Sequence, residues 1–317
     1  MHLVSIIIPN FNNEAWLSTC LNSCLEQNGT FEKEIIVVDD QSTDSSWKIL
    51  KSFQAKHPSE VFIFQNPKKG GNLARNFGFS KAKGDFIQWL DSDDILLPEK
   101  LSSQIEFLSM NEDIDIVYSD WRMDFYENGE KQREEVVISK PSASYLKTLI
   151  LDDWQPPHSY LMRRKVAEKL DQIKGWNPKR KVGQDREYFN LAAIYGASFA
   201  YVPGLFSVYN RWSKNSVSSI DYMKRLELSL HLDQRLITEI QDQEWILPKT
   251  KKELIGILKT YSLKSCYYKP NLRILSPVGF GEIKWEVIHY KMRLIIPFIW
   301  LYQMSRFNIE RWLRLRE

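Results

Sequence analysis

Short apolar runs alternate with longer amphipathic segments along the first 120 residues. Five runs rich in branched and aromatic residues predict β-strands at 3–8, 34–39, 61–65, 85–90 and 115–119. Four segments with helical periodicity lie between them, at 14–27, 44–56, 72–83 and 98–110. Strands that alternate with helices in this way predict an α/β domain with a largely parallel sheet.

The pattern changes after residue 120. Residues 121–126 and 133–138 predict a hairpin around Asn128-Gly129, and mixed structure follows to about residue 210. From residue 221 onward the chain is rich in Leu, Ile, Lys and Trp and is mostly helical in pattern. We therefore predict a domain over 1–219 and a mainly helical C-terminal extension over 220–317.

Composition narrows the class of protein. With 43% hydrophobic and 26% charged residues among 317, the chain is typical of globular proteins. A net charge of +3, without a clustered basic face in the first 220 residues, argues against a nucleic-acid partner. The cysteines Cys20, Cys24 and Cys266 have no metal-ligand spacing, so we expect reduced structural thiols and a cytoplasmic protein.

Polar clusters follow three of the predicted strands. They are Pro9-Asn10-Phe11-Asn12-Asn13, Asp39-Asp40-Gln41-Ser42-Thr43-Asp44 and Asp91-Ser92-Asp93-Asp94. In open α/β sheets, ligands bind beyond the carboxyl ends of the strands. The three clusters are therefore expected to meet at one edge of the sheet.

The carboxylates of residues 91–94 would repel one another unless something compensates their charge. Mg²⁺ or Mn²⁺ often binds one or two carboxylates together with substrate phosphates. The alternative, a solvated acidic turn before a helix, is equally well supported by this cluster alone. Asp39 and Asp40 add acceptors for a base or ribose, and Arg75 adds a donor for phosphate, so the sequence indicates a nucleotide diphosphate site.

Taken in order, the motifs resemble the family 2 glycosyltransferases of the GT-A fold. The resemblance spans residues 3–218 and rests on Val4 to Asn12, Val37 to Asp44, Ala74-Arg75-Asn76, Leu90 to Asp94 and Gly183 to Glu187. It implies an α/β fold with a Rossmann-like mixed sheet flanked by helices. It also implies transfer of one sugar, with inversion, from a nucleotide diphosphate sugar to a hydroxyl of a glycan or lipid-linked acceptor.

The resemblance assigns roles on the donor side. Pro9 and Phe11 would line the base pocket, with Asn10 among the nucleotide-binding residues, and Asp40 would read the uracil edge of a UDP-sugar. Asp39 and Arg75 would help to hold the nucleotide. Asp91 would contact the ribose or the water shell of the metal, and Asp93 would bind Mn²⁺ or Mg²⁺ directly. Asp94 would serve as a helix cap.

Asp185 matches the catalytic base of the family and would take the proton of the acceptor hydroxyl. Without the resemblance, it would be interpreted as a carboxylate favoured at a helix N-terminus. Gln184 stands where the family often has an acidic residue. The processive signature Gln-x-x-Arg-Trp is absent, which indicates a non-processive enzyme.

Weaker candidates lie on the acceptor or diphosphate side. The family often carries Tyr-Arg-x-His where this chain has Tyr209-Asn210-Arg211-Trp212, so Trp212 replaces the histidine and Arg211 is the candidate to supply its contact. His158 could contact acceptor or diphosphate, although a structural histidine is as well supported. Trp154 and Trp176 could stack on a sugar or pack in the core.

The segment 285–317 mixes apolar and Trp residues with flanking Lys and Arg. This pattern suits a helix on the anionic inner face of the cell membrane, and equally a helix packed on the domain or on a second copy of the chain.

Two alternative functions remain. A metal-dependent nucleotidyltransferase usually needs a Gly-rich basic loop after the first strand. A non-catalytic nucleotide-sugar-binding relative is the other, and the joint presence of Asp93 and Asp185 argues against it.

Overall fold

A mixed β-sheet organises the part of the chain that carries the strand-end clusters. The computed structural model describes residues 1–151, 155–212, 222–268, 280–288 and 296–304. The described strands are β1 Leu3–Asn10, β2 Glu32–Asp39, β3 Val61–Gln65, β4 Phe86–Trp89, β5 Ile95–Leu96, β6 Ile116–Glu127, β7 Glu130–Val137, β8 Leu161–Arg163 and β9 Phe199–Trp212. The described helices are α1 Leu17–Leu25, α2 Ser46–Lys56, α3 Gly71–Lys81, α4 Lys100–Met110, α5 Tyr145–Ile150, α6 Arg164–Gln172, α7 Gln184–Ile194, α8 Tyr222–Asp242 and α9 Pro248–Tyr268.

The strands follow the order β3-β2-β1-β4-β8-β6-β9-β5, with β7 paired to β6. The four strands β3, β2, β1 and β4 are parallel, whereas β8 runs antiparallel to both of its neighbours. Asn10 pairs with Asp39, and Asp39 pairs with Gln65, so three parallel strands end side by side. This register brings their following loops to one edge, as the sequence predicts.

Helices cover both faces of the parallel strands. Ile6 and Ile8 of β1 belong to a buried cluster that includes the apolar stripe of α1. On the other face, a Cβ added to Gly78 of α3 would lie only 2.6 Å from Cγ2 of Ile7. The lack of a side chain at Gly78 therefore lets α3 approach β1 closely, and the mixed sheet flanked by helices is confirmed.

One predicted boundary is wrong. The predicted strands 115–119 and 121–126 form the single strand β6, which does not break at Asp120. The Asp120 carboxylate accepts the Ser139 N–H over 2.7 Å and the Tyr201 hydroxyl over 2.8 Å, so the charged residue is accommodated inside the strand. The hairpin itself is confirmed, with Asn128 and Gly129 both at positive φ.

The chain divides into two compact units. The first comprises residues 1–145, 154–180 and 197–216, and the second comprises 146–153, 181–196 and 217–317. Helices α7, α8 and α9 belong to the second unit. The predicted boundary at residue 219 falls in a stretch that the structure does not describe, and it stays a prediction.

All three cysteines are buried and form no disulfide. Among the helices that the structure describes, none combines the length and the apolar character needed to cross a bilayer. In the second unit, Leu230 and Cys266 pack together, and a further buried cluster joins Leu263 to Ile283, Ile288 and Ile296. The helical extension therefore has small cores of its own.

Candidate active site

The ends of β1 and β2 are joined through the carboxylate of Asp39. Asn10 Nδ2 donates to Asp39 Oδ1 over 3.0 Å, and the backbone N–H of Ser42 donates to Asp39 Oδ2 over 3.0 Å. Asp39 is buried. Because both of its oxygens accept neighbouring donors, Asp39 fixes the shape of the loops at this edge, where Asn10 and Asp39 are the predicted nucleotide contacts.

Asp40 anchors the loop that leads into α3. Its Oδ1 accepts Asn66 Nδ2 over 2.6 Å, and the Gly70 N–H lies 2.8 Å from Oδ1 and 2.9 Å from Oδ2. A carboxylate has about four lone-pair sites, so these three contacts leave capacity for one more donor. The sequence interpretation missed Asn66, although it directly follows β3 and the same strand-end rule would have found it.

Phe11 presents an exposed aromatic ring at the same edge. Its side chain is 45% exposed, and Lys69 Nζ lies 4.2 Å from the ring centroid. A cation over an aromatic face is held by the ring quadrupole. Pro9, the other predicted base contact, lies within β1 opposite Val38. The pair Phe11 and Lys69 therefore joins the β1 loop to the loop before α3, and Lys69 was not predicted from the sequence.

Arg75 links α3 to the acidic loop after β4. Its Nη2 donates to Asp91 Oδ1 over 2.5 Å, and its Nη1 donates to Asn72 Oδ1 over 3.2 Å. The guanidinium lies 4.6 Å from the ring centroid of Trp176. Trp176 is buried and also packs edge-on against Trp89. Trp176 thus packs against the guanidinium of Arg75. Arg75 and Asp91, both predicted nucleotide contacts, lie in direct contact with each other.

Asp94 and His158 form a buried contact beneath the acidic loop. His158 Nδ1 lies 2.9 Å from Asp94 Oδ2, and neither side chain is exposed to solvent by more than 2%. Burial raises the pKa of the Asp94 carboxyl well above its usual value, and the nearby Asp91 charge adds to this effect. Burial lowers the pKa of His158 to about 3. Burial therefore shifts the pKa of each group towards its uncharged form, and the pair packs closely beneath the acidic loop.

Asn210 of β9 holds the same loop from another side. Its backbone N–H donates to Asp94 Oδ1 over 2.9 Å, and its Nδ2 donates to the Asp93 carbonyl over 2.5 Å. Asn13 Nδ2 donates to Ser92 Oγ over 3.0 Å. The position of Asp93 is therefore set by β9 and by the loop after β1, and Asn210 and Asn13 were not predicted as site residues.

The acidic loop fits a metal ion only in company with a substrate. Among the residues that the structure describes, no group of three or more His, Cys, Asp or Glu side chains could hold an ion by itself. Asp91 pairs with Arg75, while Asp93 is half-buried. Mg²⁺ and Mn²⁺ are commonly bound by one or two carboxylates plus phosphate oxygens. Asp93 and Asp91 match that donor set, and a diphosphate would complete it.

Asp185 lies in the first turn of α7, in the second unit. Gly183, two residues earlier, is the N-cap of this helix and adopts a left-handed conformation with φ of 66°. Asp185 Oδ1 accepts the Arg186 N–H over 2.9 Å, and the side chain is half-buried. The carboxylate thus stands at a helix N-terminus, the position that favours its ionised form.

The remaining candidates fall at or beyond the limits of the description. Arg211 is exposed near the end of β9, and its Cζ lies 5.7 Å from the centroid of Phe125. The backbone of Trp212 ends β9, but its side chain is outside the described part, as is Trp154 altogether. The roles of these three residues stay predictions.

Sequence comparison decides the family. The model of the family described as "Glycosyl transferase family 2" matches residues 5–171, which include β1, β4 and the acidic loop. The chain belongs to glycosyl transferase family 2. For this family 2 glycosyltransferase, the resemblance noted in its motifs is therefore confirmed.

Relatives and solved structures agree with this assignment. The chain is 32% identical over 288 residues to the minor teichoic acid biosynthesis protein GgaA of Bacillus subtilis (strain 168), covering 86% of this chain and 61% of GgaA. The chain spans about half the length of the curated relatives it matches.

Two solved glycosyltransferases share its fold. S. aureus TarS 1–349 in complex with UDP-GlcNAc superposes with a TM-score of 0.69 at 17% identity, covering 100% of this chain and 93% of that one. Mannosyltransferase PcManGT from Pyrobaculum calidifontis, in complex with GDP-Man and Mn²⁺, superposes with a TM-score of 0.54 at 15% identity, covering 96% and 86%. The GT-A fold expected for this family 2 glycosyltransferase is confirmed.

Proposed function

We propose that this family 2 glycosyltransferase moves one hexosyl residue from a UDP-sugar to a hydroxyl of a glycan or lipid-linked acceptor, with inversion and without processivity. The observation that carries the proposal is the convergence of Asp39, Asp40, Asp91 and Arg75 at one edge of the sheet, each held in place by hydrogen bonds. Phe11 offers its exposed ring to the base, and Asp40 has capacity for one N–H donor of uracil.

Asp93 is the proposed direct ligand of a Mn²⁺ or Mg²⁺ ion, with Asp91 beside it. The bonds from Asn210 and Asn13 to this loop hold the Asp93 backbone in place before substrate arrives. A bound ion would supply positive charge to the diphosphate as it departs. Arg75, a planar donor suited to phosphate, contributes charge from the protein itself.

Asp185 is the proposed general base. Its carboxylate accepts the proton of the acceptor hydroxyl while that oxygen forms a bond to the anomeric carbon. The bond from that carbon to the diphosphate oxygen breaks, and the nucleoside diphosphate leaves with the electron pair. Attack from the side opposite the leaving group inverts the anomeric configuration, and general-base assistance of this kind typically contributes 10²–10⁴-fold.

Two relationships support the choice of substrates. TarS is described in complex with UDP-GlcNAc, and the name of GgaA places it in teichoic acid biosynthesis. A UDP-sugar donor and a hydroxyl-bearing cell-surface polymer are the corresponding proposals for this chain. Assembly of such polymers from nucleotide sugars suits an enzyme in the cytoplasm, at the inner face of the cell membrane.

The proposed activity is tested by measuring UDP release with a donor panel and an acceptor panel. The donors are UDP-glucose, UDP-GlcNAc and, as a contrast, GDP-mannose, with Mn²⁺ or Mg²⁺. The acceptors are poly(ribitol phosphate), poly(glycerol phosphate) and an undecaprenyl diphosphate-linked GlcNAc. We expect acceptor-dependent release from a UDP-sugar and less from GDP-mannose. Failure of every UDP-sugar to react or bind would refute the donor assignment.

A peripheral membrane contact through residues 285–317 is a second part of the proposal, and a contact between copies of the chain is the alternative. In the helical residues 296–304, Phe298 and Leu301 are 71% and 57% exposed, while Ile296 is buried. Exposed apolar residues between basic segments favour insertion into an anionic surface. The double variant F298S/L301S should lose co-sedimentation with phosphatidylglycerol vesicles while its oligomeric state stays that of the wild type. Unchanged co-sedimentation would refute this membrane contact.

A further inference from the structure

Both charged residues that follow Asp185 in α7 are ion-paired to α8. Arg186 Nη1 lies 3.2 Å from Asp233 Oδ1, and Arg235 Nη1 donates to Glu187 Oε1 over 2.8 Å. The first turn of α7 is thus held at two successive residues by charged side chains of α8.

The carboxylates of both ion pairs are buried, while the Arg186 and Arg235 side chains are 15% and 20% exposed. Glu187 is fully buried, and the side chain of Asp233 is 3% exposed. Ser262 of α9 also donates to Asp233 Oδ2 over 3.4 Å, so the aspartate is held by a second helix. Exposed ion pairs contribute little because water screens them and their side chains lose entropy. A buried charge without its partner is strongly unfavourable, so these pairs constrain the geometry of α7.

Further contacts hold α7 along its length. A Cβ added to Gly183, before the helix, would lie 3.2 Å from Cδ2 of Leu232 in α8. At the other end, the Tyr195 hydroxyl donates to Glu239 Oε2 over 2.7 Å. Trp245 Nε1 donates to the Ile194 carbonyl over 2.9 Å. A shift or rotation of α7 would therefore break contacts at both of its ends.

We propose that Asp233 and Arg235 of α8 are positioning residues for Asp185, and hence that the C-terminal helices belong to the catalytic apparatus. This inference rests on the proposed role of Asp185 as general base. A general base must come within about 2.6–3.2 Å of the proton it takes. A misplacement of about 1 Å can cost on the order of 100-fold in rate. The ion pairs to α8 fix the turn that carries the base.

The variants R235M and D233N remove one partner from each ion pair, and R235K keeps the charge. We expect kcat to fall roughly 10- to 100-fold in R235M and less in D233N and R235K. The affinity for UDP with Mn²⁺ should stay within about twofold, because the donor residues Asp39 to Asp93 belong to the other unit. The matched control is K224M, which breaks an exposed ion pair between Lys224 and Glu227 of the same helix.

Hydrogen exchange gives a readout that does not depend on turnover. In R235M, amides of 184–194 should exchange faster than in the wild type, whereas those of α3 should not change. Unchanged protection of α7 in both R235M and D233N would overturn the inference. If R235M fails to fold, the double variant R235M/E187Q replaces it, because it leaves no unpaired buried charge. Amide exchange of 184–194 is then compared among the wild type, R235M/E187Q and D233N.

The two proposals fail in different ways. If D185N keeps the wild-type rate, the proposed base is wrong, whatever α8 does. If D185N is inactive while R235M and D233N turn over UDP-glucose or UDP-GlcNAc at the wild-type rate, only the role of α8 is wrong. Loss of UDP affinity in R235M equal to its loss of kcat would also contradict positioning, since it would indicate general damage.

Discussion

The donor-side loops and the helix of the candidate base are held in different ways. Asp39 and Asp40 are held largely by amide and backbone N–H donors from neighbouring strand ends and loops. The first turn of α7 is instead held by long charged side chains of α8. Strand register therefore builds the proposed nucleotide side locally, whereas the helix of the proposed base depends on the C-terminal helix α8.

The largest expected effect separates catalysis from donor binding. D185N should lower kcat by roughly 10²–10⁴-fold, because the amide cannot accept the proton of the acceptor hydroxyl. The Kd for UDP with Mn²⁺, measured by calorimetry, should change less than twofold. A D185N variant that loses nucleotide affinity as well would show that the two sides are not independent.

The next effect concerns the phosphate contact on the donor side. R75K keeps the positive charge but loses the planar fork that reaches both Asp91 and Asn72. We expect the KM for the UDP-sugar to rise about tenfold, which corresponds to the loss of one charge-assisted hydrogen bond of about 1.5 kcal/mol. An unchanged KM would show that Arg75 does not bind the donor.

A smaller effect is expected behind the acidic loop. H158Q removes the imidazole that contacts Asp94. We expect the Mn²⁺ concentration for half-maximal activity to rise about fivefold to tenfold, at or below the low end of the roughly 10–100-fold range typical of residues that support metal ligands. The control is H2Q, since the His2 side chain is 48% exposed. Equal metal dependence in H158Q and the wild type would show that this contact supports only the fold.

The smallest effect tests the base pocket. F11A should weaken UDP binding about fivefold, because stacking of a base on an aromatic ring contributes at least about 1 kcal/mol. The melting temperature should not change, since the ring is 45% exposed. A destabilised F11A with normal UDP affinity would indicate that Phe11 serves packing.

Local patterns predicted much of the donor side. The hydrophobic pattern located β1, β2 and β3. The polar residues after each strand located the loops at one edge, because neighbouring strands in a parallel sheet end at the same edge. The bonds from Asn210 to the acidic loop could not be predicted, since they require knowing that β9 pairs with β5 beside that loop. The contact between Asp94 and His158 could not be predicted either, because only the tertiary fold brings these two residues together.

The base helix shows the limit more clearly. Gly183 to Glu187 supports a helix start and, by resemblance, a base. Nothing in the local sequence of Arg186 and Glu187 indicates that their charges are buried, since such residues are usually solvent-exposed. Their partners Asp233 and Arg235 lie on a helix whose packing depends on tertiary structure. The grouping of 181–196 with the C-terminal helices is therefore visible only in the structure.

The most direct test of the central claim is a thermal-shift measurement with UDP, UDP-glucose and UDP-GlcNAc, each with and without Mn²⁺, on the wild type and D93N. A ligand that binds only the folded state raises the melting temperature by mass action. We expect stabilisation of the wild type that requires both nucleotide and Mn²⁺, and its loss in D93N. Absence of any metal-dependent stabilisation by these nucleotides, or full retention in D93N, would contradict the account.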